Sequence, residues 1–375
     1  MTDEDDERYG RGRHIDPEVG VLAGEASEQR VPERRAEVEG SAPFDVWKEV
    51  PSPDGRRADE DVTYYDRPVL KEPTWIWAVP AYFYVGGAAG ASAVLGMVAE
   101  LAGEDDLAGL ITRCRWISAL GDVVGIALLV EDLGRPERFA NMLRVFRPTS
   151  PMSVGSWVLA VSTPASLASA LFGRRSALLG AVGRGGGVVS GVAGLPLSGY
   201  TAVLLSNTAV PVWQGTRRSL PLLFVSGAMS SAASLLDLLD LSEREERIVR
   251  RYGLAGKLGE LAATFAVEQE ANQVEQVGRA LHDGLGGALW QAAKALTAAS
   301  AGLSLLVGKR KAARKLSGVL GTLGAIALRF AMFEAGKRSA SDPRATFAQH
   351  RAGHGAIEAT GAAAVTGPGG TRAVS

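Results

Sequence analysis

WIWAVPAYFYVGGAAGASAVLGMVAEL, residues 75–101, decides the fold class. From Trp75 to Ala99 it carries no charge. As a helix it would be about 40 Å long, more than the roughly 30 Å of bilayer hydrocarbon. Seven further apolar runs follow, at Cys114–Glu131, Met152–Phe172, Gly187–Trp213, Leu220–Leu241, Leu254–Val267, Leu285–Val307 and Ser317–Glu334. The run Leu254–Val267 is the weakest, being short and carrying Lys257 and Glu260. The pattern predicts an all-α polytopic membrane protein with about eight transmembrane helices.

Whole-chain averages hide this. Mean hydropathy is only +0.08, and net charge is −1. Residues 1–74 hold 20 Asp and Glu against 11 Lys and Arg, a balance of −9 that leaves +8 for the remainder. Such a segment buries too little apolar surface to offset its ordering entropy, so residues 1–74 are expected to form a disordered tail. Its polarity also argues against a cleavable signal peptide. Residues 75–338 form the expected transmembrane domain. Residues 339–375, rich in Gly, Ala and Thr, are expected to be a flexible tail.

The chain has one cysteine, Cys114, and four histidines, His14, His282, His350 and His354. A cluster of iron and sulfur needs about four cysteine ligands, and a haem within the bundle needs axial ligands there. None of the histidines lies in an apolar run. We expect no haem, no iron–sulfur cluster and no metal site in this chain, and no nucleic-acid partner.

Loops after the first, third, fifth and seventh runs hold 14 basic residues, and those after the second, fourth and sixth hold 7. Cytoplasmic loops carry the excess. The first set is therefore expected inside and both termini outside.

Ionisable residues within the runs carry more chemistry. Asp122 lies nine residues before Glu131, roughly 14 Å deep. Glu260, Thr264 and Glu268 share one helix face, with Lys257 a turn earlier. Lys294 and Gln291 fall near mid-depth of the seventh run. Charge at such depth faces a partner, water or the bundle interior. Asp122, Glu260 and Lys294 are thus candidates for a proton path. The alternative is structural ion pairing, such as Lys257 or Lys294 with Glu260. Asp237, Asp240 and Glu268 lie near run ends and are expected to be solvated. In the fourth run Pro196 breaks the hydrogen-bond ladder. Tyr200 and Asn207 follow on one face, where a donor could meet a carbonyl-bearing ligand. Pro211 and Trp213 are expected to close that helix at the membrane interface. Pairs such as Gly86 and Gly90, Gly121 and Gly125, and Gly187 and Gly191 suit close helix packing.

The stretch Glu131-Asp132-Leu133-Gly134-Arg135-Pro136-Glu137-Arg138-Phe139, then Asn141-Met142-Leu143, Ser150-Pro151-Met152 and Gly155-Ser156-Trp157, resembles the loop between helices two and three of the NrfD/PsrC family. Ser198-Gly199-Tyr200-Thr201, running to Pro211-Val212-Trp213, is similar too, as are Tyr82-Phe83-Tyr84-Val85-Gly86-Gly87 and Arg329 to Gly336. The resemblance covers about residues 75–345. It implies two four-helix bundles in a bacterial cytoplasmic-membrane subunit of a respiratory oxidoreductase such as polysulfide reductase. It further implies a bound quinone, menaquinone by expectation, and a docked ferredoxin-like partner with several [4Fe–4S] clusters. A molybdopterin-dependent catalytic subunit would lie beyond, and the lipid bilayer would surround the chain. The family tyrosine at the Tyr200 position is a quinone contact. The candidate quinone pocket is Tyr200, Asn207, Asp132, Arg135, Tyr82 and Trp77. The polar residues of the polysulfide reductase subunit at the start of helix one do not recur; Trp77, Pro80, Ala81 and Tyr82 stand there. Electron exchange with quinone is the leading expectation, with coupling to proton translocation left open. A membrane anchor without quinone chemistry and a proton-coupled transporter are the alternatives, although no sequence repeat of the transporter kind is evident.

Overall fold

The structure, a computed structural model, describes residues 14–15, 22–23, 68–103, 105–134, 136–306 and 310–352. Most of the expected 1–74 tail, the end of the 339–375 tail and Arg135 lie outside these residues. Within residues 1–67 the described backbone is a two-residue antiparallel ladder, His14 opposite Ala23 and Ile15 opposite Leu22.

The described residues from 68 on are mainly helical. Among the described residues, eight long helices alternate with short ones. They are α1 (Ala78–Leu101), α2 (Ala108–Leu133), α3 (Pro151–Phe172) and α4 (Ala177–Leu197), then short α5 (Tyr200–Ser206) and α6 (Pro211–Gly215). Next come α7 (Leu220–Asp237), α8 (Glu243–Ala271), short α9 (Glu275–Arg279), α10 (Gly284–Leu306), α11 (Lys311–Ser341) and α12 (Pro343–Arg351). Five segments, α1, α3, α4 with α5, α7 and α11, are long and apolar enough to cross a membrane. The other long helices, α2, α8 and α10, coincide with expected runs but are more charged or less apolar. The full count of eight crossings therefore stays an expectation.

Packing divides the long helices into two rings. Helices α1, α2, α3 and α4 each pack on the next, and α4 returns to α1. Helices α7, α8, α10 and α11 repeat the arrangement. The rings meet where α1 packs on α7 and α11. These are the two four-helix bundles the resemblance implied. Lipid gives little hydrophobic drive between helices, so close backbone contact must hold them. At the crossing of α1 and α4, a Cβ on Gly90 would stand 2.8 Å from the Gly194 carbonyl, and one on Gly194 2.5 Å from the Gly90 carbonyl. Any side chain there would push the helices apart.

Local chemistry sets the helix ends. Helix α2 stops at Gly134, whose φ of 65° is left-handed and suits glycine. The Ser150 hydroxyl accepts from the Ser153 amide and Pro151 opens α3. Ser242 and Glu245 form a reciprocal cap at the start of α8. That cap explains why α8 begins eleven residues before the expected Leu254: its first three turns are charged but still helical. Helix α2 likewise starts at Ala108 rather than Cys114. The fourth run starts earlier than expected, at Ala177. It breaks after Pro196 as predicted, with Ser198 and Gly199 separating α4 from α5.

Two expectations change. Pro211 does not close the fourth helix at the interface; it opens α6, and Trp213 is buried in the core. Its indole nitrogen donates to the Met332 carbonyl at 2.8 Å, and its ring stacks on Trp75. Helix also continues past residue 339, as far as Arg351. Asp342 caps α12 by accepting from the Arg344 amide, and Gln349 reaches Gln214 at 3.1 Å.

Candidate functional site

Within the first bundle, a polar column descends from the end where α1 and α3 begin. The Tyr82 hydroxyl, from the first turns of α1, hydrogen-bonds that of Tyr200, the first residue of α5. The break behind Pro196 lets α5 start at this level. Both rings fit because glycine faces them. A Cβ on Gly155 of α3 would come within 2.0 Å of the Tyr200 ring, and one on Gly125 of α2 within 3.1 Å of the Tyr82 ring.

One turn before Gly125, and so on its face, lies Asp122, only 1% exposed. Its Oδ2 accepts from Ser162 at 2.8 Å and Ser166 at 2.9 Å, both from α3. Its Oδ1 is buried with no hydrogen-bond partner among the described residues. Below Asp122 a cavity of about 10 Å³ is lined by Ser118, Ser166, Ser169, Ser190, Glu100 and Arg115, among others. That is near the size of one water, with enough polar groups to hold it. The column ends at Arg115, which pairs with Glu100 at 2.6 Å.

The second bundle holds a second set of charges. Lys257 of α8 is 1% exposed. It donates to Ser304 at 3.1 Å and Ser317 at 3.0 Å, and lies 4.0 Å from Asp237. Glu260, one turn along, is 2% exposed. Its carboxyl and the Arg329 guanidinium both flank Gly227: a Cβ there would be 3.6 Å from the Glu260 carboxyl carbon and 3.1 Å from an Arg329 terminal nitrogen. Arg329 donates to the Phe224 carbonyl at 3.0 Å and sits 3.9 Å over the Phe224 ring. Phe224 meets Phe83, the neighbour of Tyr82. The two charged interiors are thus separated by little more than α1.

The structure brings some candidates together and scatters others. Tyr82, Tyr200 and Asp122 share one interior. Glu260 lies across α1 in the other bundle. Lys294 is held away from Glu260, donating at 2.6 Å to Glu268, which also accepts from Trp290 at 2.7 Å. Glu268 is therefore paired, and Asp237 is buried beside Lys257, where solvation was expected for both. Asn207 is exposed and donates back to the Val203 carbonyl, ending α5 instead of facing Tyr200. Asp132 accepts from the Ile76 amide at 2.9 Å, tying the end of α2 to the start of α1. Trp77 points outward, 59% exposed.

Several contributors gave little signal in the sequence. Ser162 and Ser166 look like ordinary small residues until α3 is placed on α2. Arg113 and Arg115 read as loop charges, yet both lie in α2. Arg113 reaches Glu245 at 3.0 Å, joining α2 to α8. The spacing Ser162, Ser166, Ser169 is the one signal available, since it keeps three hydroxyls on one helical face.

Among the described residues, no three His, Cys, Asp or Glu side chains converge to hold a metal ion. No curated protein matches the chain. A family model described as polysulfide reductase, of the NrfD type, matches residues 63–342, more than half of the sequence. The apolar helices, the paired bundles and this match agree, and the chain belongs to the NrfD-type polysulfide reductase family, a multi-pass membrane subunit of an oxidoreductase complex.

Proposed function

We propose that this chain is the quinone-reactive subunit of a respiratory complex in the bacterial cytoplasmic membrane. It exchanges electrons with a ferredoxin-like [4Fe–4S] partner, with a molybdopterin-dependent subunit beyond, and its quinone is menaquinone. The observation that carries this reading is the Tyr82–Tyr200 hydroxyl pair standing above a buried carboxylate. Each hydroxyl has one proton to donate. The pair uses one between its members and keeps one for an acceptor such as a carbonyl oxygen. Tyr200 is only half-buried, and Met152 and Trp157, on either side of Gly155 in α3, and Val203 of α5 are exposed apolar side chains, so a lipid-soluble ring has a way in.

A bound quinone would supply two-electron, two-proton chemistry. The chain's own residues orient it and handle protons. The tyrosine hydroxyls favour charge developing on a ring oxygen, in a site with little water to compete. Asp122 holds or releases a proton through its unpartnered Oδ1. Ser162 and Ser166 fix its other oxygen. The serine-lined cavity and the Arg115–Glu100 pair continue that route toward the other end of the bundle. Arginine enrichment at that end supports placing it in the cytoplasm, with the tyrosines outside.

An azido-quinone photolabel applied to the purified complex tests this. Labelled peptides should carry Tyr82 or Tyr200. Labelling confined to the second bundle would overturn the reading.

A further inference from the structure

The interior of the second bundle is polar on all four helices at matched spacing. Helix α7 contributes Ser230, Ser234 and Asp237; α8 contributes Lys257, Glu260 and Thr264. Helix α10 contributes Thr297, Ser300 and Ser304; α11 contributes Ser317, with Gly321 and Gly324 where side chains would otherwise block the middle. All of the polar groups are buried. Seven-residue spacing keeps each set on one face, so the four sets converge.

Two independent observations show what this interior is suited to hold. First, buried atoms without a hydrogen-bond partner among the described residues cluster here: the Ser230, Ser234 and Thr297 hydroxyls and the Glu260 Oε2. Buried polar groups are costly to leave unpaired, and polar sites of this kind take up water. A Cβ on Gly321 would lie 2.2 Å from the Ser234 hydroxyl and 3.0 Å from that of Ser300, and one on Gly324 would lie 2.9 Å from that of Thr297. Second, the column opens. At the arginine-rich end a vestibule of about 420 Å³ is lined by Asp237, Glu243, Glu246, Arg247, Arg250, Ser304 and Arg314. Asp237 and Ser304 are two of the groups that meet Lys257. Solvent in the vestibule therefore stands one side chain away from a buried amine.

We infer that Lys257 is a proton relay, loaded from the vestibule through Asp237 and Ser304 and unloading along the serine and threonine column to Glu260. The balance is simple. A hydronium in the vestibule gives its proton to the Asp237 carboxylate, leaving water. The neutral Lys257 amine takes that proton and becomes ammonium, then passes it to the Glu260 carboxylate. No electron moves. The charged groups acting on Lys257 are Asp237 from α7 and Glu260 from its own helix; Arg314 and Glu246 act on Asp237, and Arg329 of α11 acts on Glu260. Helix α10 offers only hydroxyls. Arg314 is held by the Asp237 and Leu239 carbonyls and by Glu246 at 3.2 Å and lines the vestibule. This route is separate from the Asp122 column, and its coupling to turnover rests on the quinone reading.

The test has two arms. In membranes holding the full chain, Ser304→Cys in a Cys114→Ala background is treated with a water-soluble maleimide from the arginine-rich side. Rapid labelling is expected, and protection of Ser234→Cys, deeper in the column, serves as the comparison. An unlabelled Ser304→Cys overturns the inference whatever the fate of the quinone reading. In the complex reconstituted in liposomes, protons taken up from that side are measured per quinone reduced. Lys257→Met and Lys257→Arg should both lower the ratio by half or more, because arginine keeps the charge but does not release its proton. Asp237→Asn should slow uptake at least tenfold. A wild-type ratio in Lys257→Arg would make the lysine a structural ion-pair partner and sink the relay. If the unaltered complex reduces no quinone, the proposed function falls, and the labelling arm alone decides whether the vestibule reaches Ser304.

Discussion

Tyr82 and Tyr200, 118 residues apart in sequence, share a hydrogen bond between their hydroxyls. That contact exists because α4 breaks behind Pro196 and because Gly125 and Gly155 leave room for the rings. It places two proton donors above the carboxyl of Asp122. The first bundle thereby has a tyrosine hydroxyl pair toward one end and a buried carboxylate in its interior.

Gly155→Ala tests the shape of this site. Alanine in a helix interior is ordinarily better than glycine by up to ~1 kcal/mol. Here the added methyl meets the Tyr200 ring, and overpacking costs about 1–3 kcal/mol. Quinone-linked turnover should drop severalfold or more while the protein still inserts. Gly185→Ala in α4, where a Cβ meets nothing within 4 Å, should leave turnover unchanged and thermal stability equal or higher. Equal behaviour of the two variants would contradict the packing argument.

Arg115 and Glu100 form a pair with little solvent around it. Arg115→Met alone leaves a buried carboxylate uncompensated and should destabilise the detergent-solubilised protein by about 3–5 kcal/mol. Adding Glu100→Leu removes the orphaned charge and should recover most of that loss. Thermal unfolding of the single and double variants measures both; a double variant no better than the single one would rule out the pair as the cause.

Lys294 should prove dispensable for proton movement. It is held by Glu268 near the far end of α8 and does not approach Glu260. Lys294→Met should leave protons taken up per quinone at the wild-type value, with a modest loss of stability from the broken, half-exposed pair. A ratio cut by half would restore Lys294 to the proton path.

Much of this architecture is legible in the sequence, and the reasons for the rest are physical. Apolar runs mark the helices because lipid demands them. Helix ends are less visible, since α2 and α8 continue as charged turns whose ions find partners: Arg115 with Glu100, Arg113 with Glu245. Tyr200 stands out beside its proline break and within a family motif. Tyr82 stands out only through the resemblance. Asp122 is conspicuous by depth, but its serine partners are not, because one serine in a helix looks like another until the facing helix is known. The pairing of Lys294 with Glu268 rather than Glu260 depends on how α10 crosses α8, which no local pattern records. Trp213 sits on an apparent helix end yet is buried, because α6 folds under α11.

The most direct test of the account is quinone-linked turnover in complexes carrying Tyr200→Phe or Tyr82→Phe. Each removes one hydroxyl and keeps the ring, so packing should survive. Losing a hydrogen bond in a dry site costs on the order of 1–3 kcal/mol. That is roughly a ten- to hundredfold loss of rate at about 1.4 kcal/mol per decade. Reduction of a soluble dye that accepts electrons from the iron–sulfur partner should stay at the wild-type rate. Wild-type quinone turnover in both variants would contradict the account and return the two tyrosines to the role of a buried structural pair.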